Sequence, residues 1–212
     1  MLKEFKRILV LAPHTDDGEL GCGATISKFI EEGKEVFYVA FSICEESVPE
    51  GYPKDILATE VKNATHLLGI KPENLIIYKF KVRRFPEFRQ QILEEMVKLN
   101  REINPDLVFI PSSFDVHQDH KTIFEEGRRA FKKCSLLGYE FMWNNFAFSS
   151  NCSIVVEERH IEKKIESIKE YKSQERRFYA SDDLVKGLAN FRGLQISKNY
   201  VEAFEVIRWI IE

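Results

Sequence analysis

Four short, largely apolar runs constrain this chain most: residues 8–12, 36–42, 75–80 and 107–110. Each is too short for an ordinary globular helix, and each reads as a strand buried in a sheet. Between them lie segments with helical periodicity. Residues 20–32 place Ile26, Phe29 and Ile30 on one face and stop at Gly33; residues 56–68 carry Val61, Ala64, Leu67 and Leu68 and stop at Gly69. Residues 88–102 carry Ile92, Met96, Val97 and Leu99 before the Asn104-Pro105-Asp106 break, and 121–133 form a further helix. The last third is less regular, with strands expected at 139–143 and 153–156, helices at 160–171 and 183–189, and a final strand at 203–211.

Strands alternating with helices predict an α/β, single-domain, Rossmann-like fold over 1–212: a mostly parallel sheet, order near 3-2-1-4-5, with helices on both faces. In such sheets ligands bind beyond the carboxyl ends of the strands, where the strand order reverses. That point lies between strands one and four, and the chain's two polar motifs follow those strands.

The first motif is Pro13-His14-Thr15-Asp16-Asp17-Gly18, with Gly21-Cys22-Gly23 just after it. Two adjacent carboxylates disfavour joint ionisation, and a bound cation relieves the conflict. The second is Phe114-Asp115-Val116-His117-Gln118-Asp119-His120, so three of five histidines fall in the two motifs. His66 and His160 sit in polar or charged surroundings and read as surface residues. A catalytic zinc takes three protein ligands and keeps one position for water. His14, one of Asp16 and Asp17, and one of His117 and His120 would supply them. The spare carboxylate would handle protons, and the spare histidine, protonated, would stabilise an oxyanion. Either motif alone is also what a helix-capping turn looks like; their joint placement favours a site.

Composition narrows the classes. A formal net charge of -3 with scattered basic residues gives no nucleic-acid surface. No stretch approaches the roughly 18 apolar residues of a membrane span, and the first apolar run is shorter than a signal core. Four cysteines without a Cys-x-x-Cys pair fit reduced thiols and a cytoplasmic protein. A homo-oligomer stays open. A rival reading from a different class is a non-hydrolytic nucleotide-binding module that brings Gly21-Cys22-Gly23 up to a phosphate.

The two motifs together resemble the PIG-L/LmbE-like zinc-dependent N-deacetylases, whose first strand is followed by Ala-His-Pro-Asp-Asp-Glu and then Gly-x-Gly. The family's His-x-Asp-His after a Pro-Asp-apolar strand is similar to Pro105-Asp106 through Ile110 and then His117-Gln118-Asp119-His120. Tyr139-Glu140, Lys164, Tyr171 to Gln174, Arg192-Gly193 and Glu202-Ala203-Phe204 extend the resemblance to nearly the whole length. It implies that His14, Asp17 and His120 bind Zn2+ or another divalent metal and that Asp16 is the general base. His117 would steady the oxyanion, with Asp119 holding its ring. The reaction implied is hydrolysis of the N-acetyl group of an N-acetylglucosamine-like sugar or its conjugate, releasing acetate. Thr15 and Gly18 stand where the family has Pro and Glu. Leu57 stands where the family often carries a substrate-contacting arginine three residues before the glutamate matched by Glu60. Arg83 and Arg84, at the exit of strand three, are candidates to replace it, and Arg192 is a third candidate substrate contact.

Overall fold

The computed structural model describes residues 5–178 and 181–211. Its seven-stranded sheet has the order β3-β2-β1-β4-β5-β7-β6. The strands are β1 (Arg7–Ala12), β2 (Glu35–Ala40), β3 (Leu75–Ile77), β4 (Leu107–Pro111), β5 (Ser135–Tyr139), β6 (Cys152–Val156) and β7 (Tyr200–Arg208). The first five run parallel in the expected order. Strand β7 then pairs antiparallel with both β5 and β6.

Side chains alternate across the central strands, so each strand feeds two cores. From β1, Ile8, Val10 and Ala12 enter one core while Leu9 and Leu11 enter the other. The first core lies under α1 (Asp17–Glu31), α2 (Ile56–Leu68), α5 (Glu158–Lys169) and α6 (Asp182–Leu194). The second lies under α3 (Arg89–Ile103) and α4 (Gln118–Ala130). Burial on both faces explains why these strands are apolar throughout. Each fully buried Leu, Ile or Val contributes about 1.5–3 kcal/mol.

Three expectations are corrected. Strand five occupies Ser135–Tyr139 rather than 139–143. Its Ser and Gly hide it from a propensity reading, yet all five residues are buried, and a Cβ at Gly138 would lie 3.0 Å from Ser112 Cα. Strand β3 pairs only over Leu75–Ile77. Helix α1 begins at Asp17 and is broken inside: Cys22 has φ -149°, ψ 23°. The break frees backbone groups that need partners. Glu202 accepts the Ala24 and Thr25 N–H groups at 3.3 and 2.7 Å, and Lys164 Nζ donates to Leu20 O at 2.7 Å. His160 is corrected as well: it is buried, its Nδ1 accepts the Glu157 N–H at 3.0 Å, and its Nε2 lies 2.8 Å from Glu31.

Candidate metal centre and its chamber

The switch point falls between β1 and β4, and both polar motifs leave the sheet there. Asp16 is the N-cap residue of α1, but its carboxylate makes no capping bond. It lines the chamber instead. Asp17 Oδ2 accepts the His14 backbone N–H at 2.7 Å, which fixes its rotamer. That oxygen lies 3.1 Å from His14 Nδ1 and 3.2 Å from His120 Nε2, and the two ring nitrogens are 3.3 Å apart. Three ligands around one tetrahedral ion, each about 2.0–2.2 Å from it, are separated by about 3.3–3.6 Å. The donor triangle therefore fits a small divalent cation. The ligand atoms of His14, His117 and His120 form a looser group within 4.8 Å of one another, so His117 is within reach of the same ion.

Both rings of the triangle are braced from behind. Asp115 Oδ2 lies 2.7 Å from His120 Nδ1, and Asp119 Oδ2 lies 3.0 Å from His14 Nε2. Carboxylates placed so orient the imidazole and raise its basicity toward a metal. Asp119 was expected to hold the His117 ring, and it does so through its backbone rather than its carboxylate, which goes to His14. What His117 receives is the Asp119 backbone N–H, at 3.2 Å to Nδ1. A backbone N–H can only donate, so Nδ1 is the acceptor and Nε2 carries the proton of the neutral ring.

The electrostatics agree with these roles. Burial would raise the pKa of Asp17, but the His120 and His14 rings outweigh it and hold the carboxyl well below its usual range. Burial would lower His120, yet Asp17 and Asp115 push it up to about 10. His14 is raised as well, with Asp17 and Asp119 overcoming its burial. Burial, then the neighbouring Asp17 charge, raises Asp16. Burial, then the His120 and His14 rings, lowers His117 to about 4, so it is a neutral donor at pH 7 rather than the imidazolium expected.

The chamber has a volume of about 260 Å³. Beyond the motif residues, Leu57, Arg83, Trp143, Asn144, Gln174 and Arg177 contribute to its wall. Of the three candidate substrate arginines, only Arg83 lines it. Arg84 points to Glu87 at 3.3 Å, and Arg192 is held by Glu140 and Ser150 in a separate crevice beneath α6. Sequence reasoning gave no role to Asp115, although the second motif contains it five residues before His120, and counted Arg177 only among the scattered basic residues. The Gly18 departure has a cause: a Cβ there would lie 2.3 Å from the Tyr38 ring, whose hydroxyl accepts the Gly18 N–H at 3.0 Å. Nor do Gly21 and Gly23 offer a phosphate cradle. A Cβ at Gly21 would lie 2.6 Å from the Tyr139 ring, and one at Gly23 would lie 3.0 Å from Lys164 Cγ.

The family model described as PIG-L, GlcNAc-PI de-N-acetylase, matches residues 9–131, which include both motifs. The chain belongs to the PIG-L family. Among its relatives is a probable N-acetyl-alpha-D-glucosaminyl L-malate deacetylase 2 of Bacillus anthracis. The two are 29% identical over 131 residues, 56% of each chain. A diacetylchitobiose deacetylase of Thermococcus kodakarensis is 26% identical over 126 residues, 56% of this chain and 46% of that one. The matches thus span about half the length of these curated relatives. The likeness in fold extends further along the chain. The N,N'-diacetylchitobiose deacetylase structure from Pyrococcus horikoshii superposes with TM-score 0.81 over 96% of this chain and 84% of that one, at 21% identity.

Proposed function

We propose that this chain is a metal-dependent N-deacetylase that removes the acetyl group from an N-acetylglucosamine-type sugar or its conjugate. The observation that carries the reading is the triangle of His14 Nδ1, Asp17 Oδ2 and His120 Nε2, with edges of 3.1–3.3 Å, beside a raised carboxyl at Asp16. Two imidazoles and one carboxylate suit zinc, and iron or cobalt also accept such a set.

His14, Asp17 and His120 would hold a divalent ion, which would supply Lewis acidity, lowering the pKa of a water toward about 7 and polarising a carbonyl. The residues do the rest. Asp16, close to the ligands but not one of them, takes the proton of the attacking water and returns it to the leaving nitrogen. A raised pKa suits both halves of that transfer. His117 Nε2–H donates to the developing oxyanion, its ring held by the Asp119 backbone N–H at 3.2 Å. Trp143, Leu57 and Leu20 give the chamber an apolar wall, while Asn144 and Gln174 offer donors and acceptors to sugar hydroxyls.

The test is acetate release from a panel of N-acetyl amino sugars by the zinc-loaded protein, with metal content measured in parallel. Chelation should abolish release. Asp16→Asn should keep its metal and lose at least a hundredfold in turnover. Full activity in Asp16→Asn would show that another group moves the proton.

A further inference from the structure

Arg83 has φ +67°, a left-handed backbone that a long side chain rarely adopts. The conformation is held by Asp119, whose carboxylate accepts the Arg83 N–H at 2.6 Å and the Phe85 N–H at 3.2 Å. Since the same carboxylate braces His14, the turn is fixed to the metal centre itself. Glycine would meet this backbone requirement without strain. The chain instead places a guanidinium there, on the chamber wall. Its Nη2 donates to Ser47 Oγ, another wall residue, at 3.0 Å, and among the described residues it forms no ion pair.

Arg177 reaches the same chamber from a separate loop. That loop is anchored by Glu60, whose carboxylate accepts the Ser173 N–H at 2.8 Å and its hydroxyl at 2.7 Å. Arg177 Nη1 lies 3.6 Å from Asp16 Oδ2. Asp16, Leu20, Gln174 and Arg177 also line an adjoining hollow of about 580 Å³, so the chamber opens past Arg177 into room for a larger group. Tyr52 and Lys172 contribute to that second wall.

Resting on the deacetylase reading, we propose that Arg83 and Arg177 form an anion-binding subsite, and that the substrate is an acetylated amino sugar bearing a phosphate or carboxylate. Guanidinium pairs with these oxyanions through charge-assisted, often bidentate hydrogen bonds. A neutral sugar would make no use of the Arg83 charge, although the fold strains that residue into place. Helix α2 offers no competing cation, because Leu57 faces the chamber there.

The experiment uses the zinc-loaded protein and three probes: the methyl glycoside of N-acetylglucosamine, N-acetylglucosamine 1-phosphate, and an N-acetylglucosamine glycoside of a hydroxy-dicarboxylic acid. Binding is read by calorimetry and turnover by acetate release. At least one anionic probe should bind, and turn over by kcat/KM, at least tenfold better than the neutral one. The better of the two names the anion. Arg83→Gly, which keeps the backbone conformation, and Arg177→Gln should each bring the anionic-to-neutral ratio toward one. Equal handling of charged and neutral probes by the wild type, or an unchanged ratio in both variants, overturns the subsite. If no probe releases acetate but the binding preference and its loss in the variants are seen, the subsite stands and the deacetylase reading falls.

Discussion

Asp115 Oδ2 lies 2.7 Å from Nδ1 of His120, on the opposite side of the ring from Asp17 Oδ2, 3.2 Å from Nε2. The imidazole is thus clamped between a carboxylate that orients it and one placed to share a metal ion with it. Both Asp115 and the ring are buried, so neither contact is screened by water. Asp115→Asn is expected to lower zinc affinity by about 10–100-fold while leaving the three ligands in place. Competition against a chromogenic chelator measures it. An unchanged affinity would mean that packing alone orients the ring.

Metal binding should also release protons. In the metal-free protein His120 is pushed up to about 10 and is protonated near neutral pH, and His14, raised by Asp17 and Asp119 against its burial, holds its proton to higher pH than a free imidazole. A ligating imidazole must be neutral. The sign follows: below these raised pKa values the proton competes with the metal, and affinity climbs as pH rises. Calorimetric titration with zinc in two buffers of different ionisation enthalpy should give heats that differ by one to two protons' worth per site. Identical heats would contradict the protonation described.

The parallel part of the fold was legible in the chain because β1 and β4 are buried on both faces, which leaves a continuous apolar run. Strand β5 was not, since Gly138 and Ser135 are set by close approach to neighbours rather than by propensity. The site divides along the same line. His14, Asp16, Asp17, His117 and His120 are crowded into two short motifs at strand exits. The walls come from afar: Arg177 lies more than 150 residues along the chain from Asp16. The partner of Asp119 could not be read locally either. His117 is two residues away and His14 lies 105 away in sequence, yet the fold gives the carboxylate to His14.

Close packing at the Gly-Cys-Gly break gives a stability expectation. A Cβ at Gly21 would sit 2.6 Å from the Tyr139 ring, which is buried and pinned by its hydroxyl bond to Leu11 O at 2.8 Å. The ring cannot retreat without breaking that bond. Gly21→Ala should therefore cost about 1–3 kcal/mol. A Cβ at Gly187 would meet nothing within 4 Å, so Gly187→Ala, inside α6, should be neutral or stabilising. Urea unfolding of both variants tests the contrast.

The ion pair under the same break is buried: the Lys164 and Glu202 side chains are 7% and 6% exposed, with Nζ and Oε1 2.7 Å apart. Glu202 also receives two backbone N–H groups from α1, so removing the lysine strands a carboxylate that still holds the helix. Lys164→Met should lower stability by about 3–5 kcal/mol, as expected when one partner of a buried pair is lost. A loss below about 1 kcal/mol would show that the amides alone satisfy Glu202.

Glu19 offers the sharpest pH test. It is fully buried, and two tyrosine hydroxyls serve both it and Thr15 O. Tyr38 reaches Thr15 O at 2.8 Å and also contacts Glu19, while Tyr171 reaches Thr15 O at 2.6 Å and Glu19 at 3.1 Å. Two hydroxyl hydrogens cannot fill four such contacts, and a proton on Glu19 fills a third. Burial, opposed by these hydrogen bonds, pushes its pKa from 4.5 up to about 8. Below about pH 4.5 both folded and unfolded chains hold this proton; between there and about pH 8 only the folded chain does. Stability from this group is therefore complete at low pH and lost as pH rises through that window. Glu19→Gln keeps a carbonyl acceptor and an N–H donor but cannot titrate. Urea unfolding with chelator present should show the wild type losing on the order of 2–4 kcal/mol more than the variant between pH 5 and pH 8. Parallel slopes in the two proteins would place the ionised carboxylate in the folded state throughout.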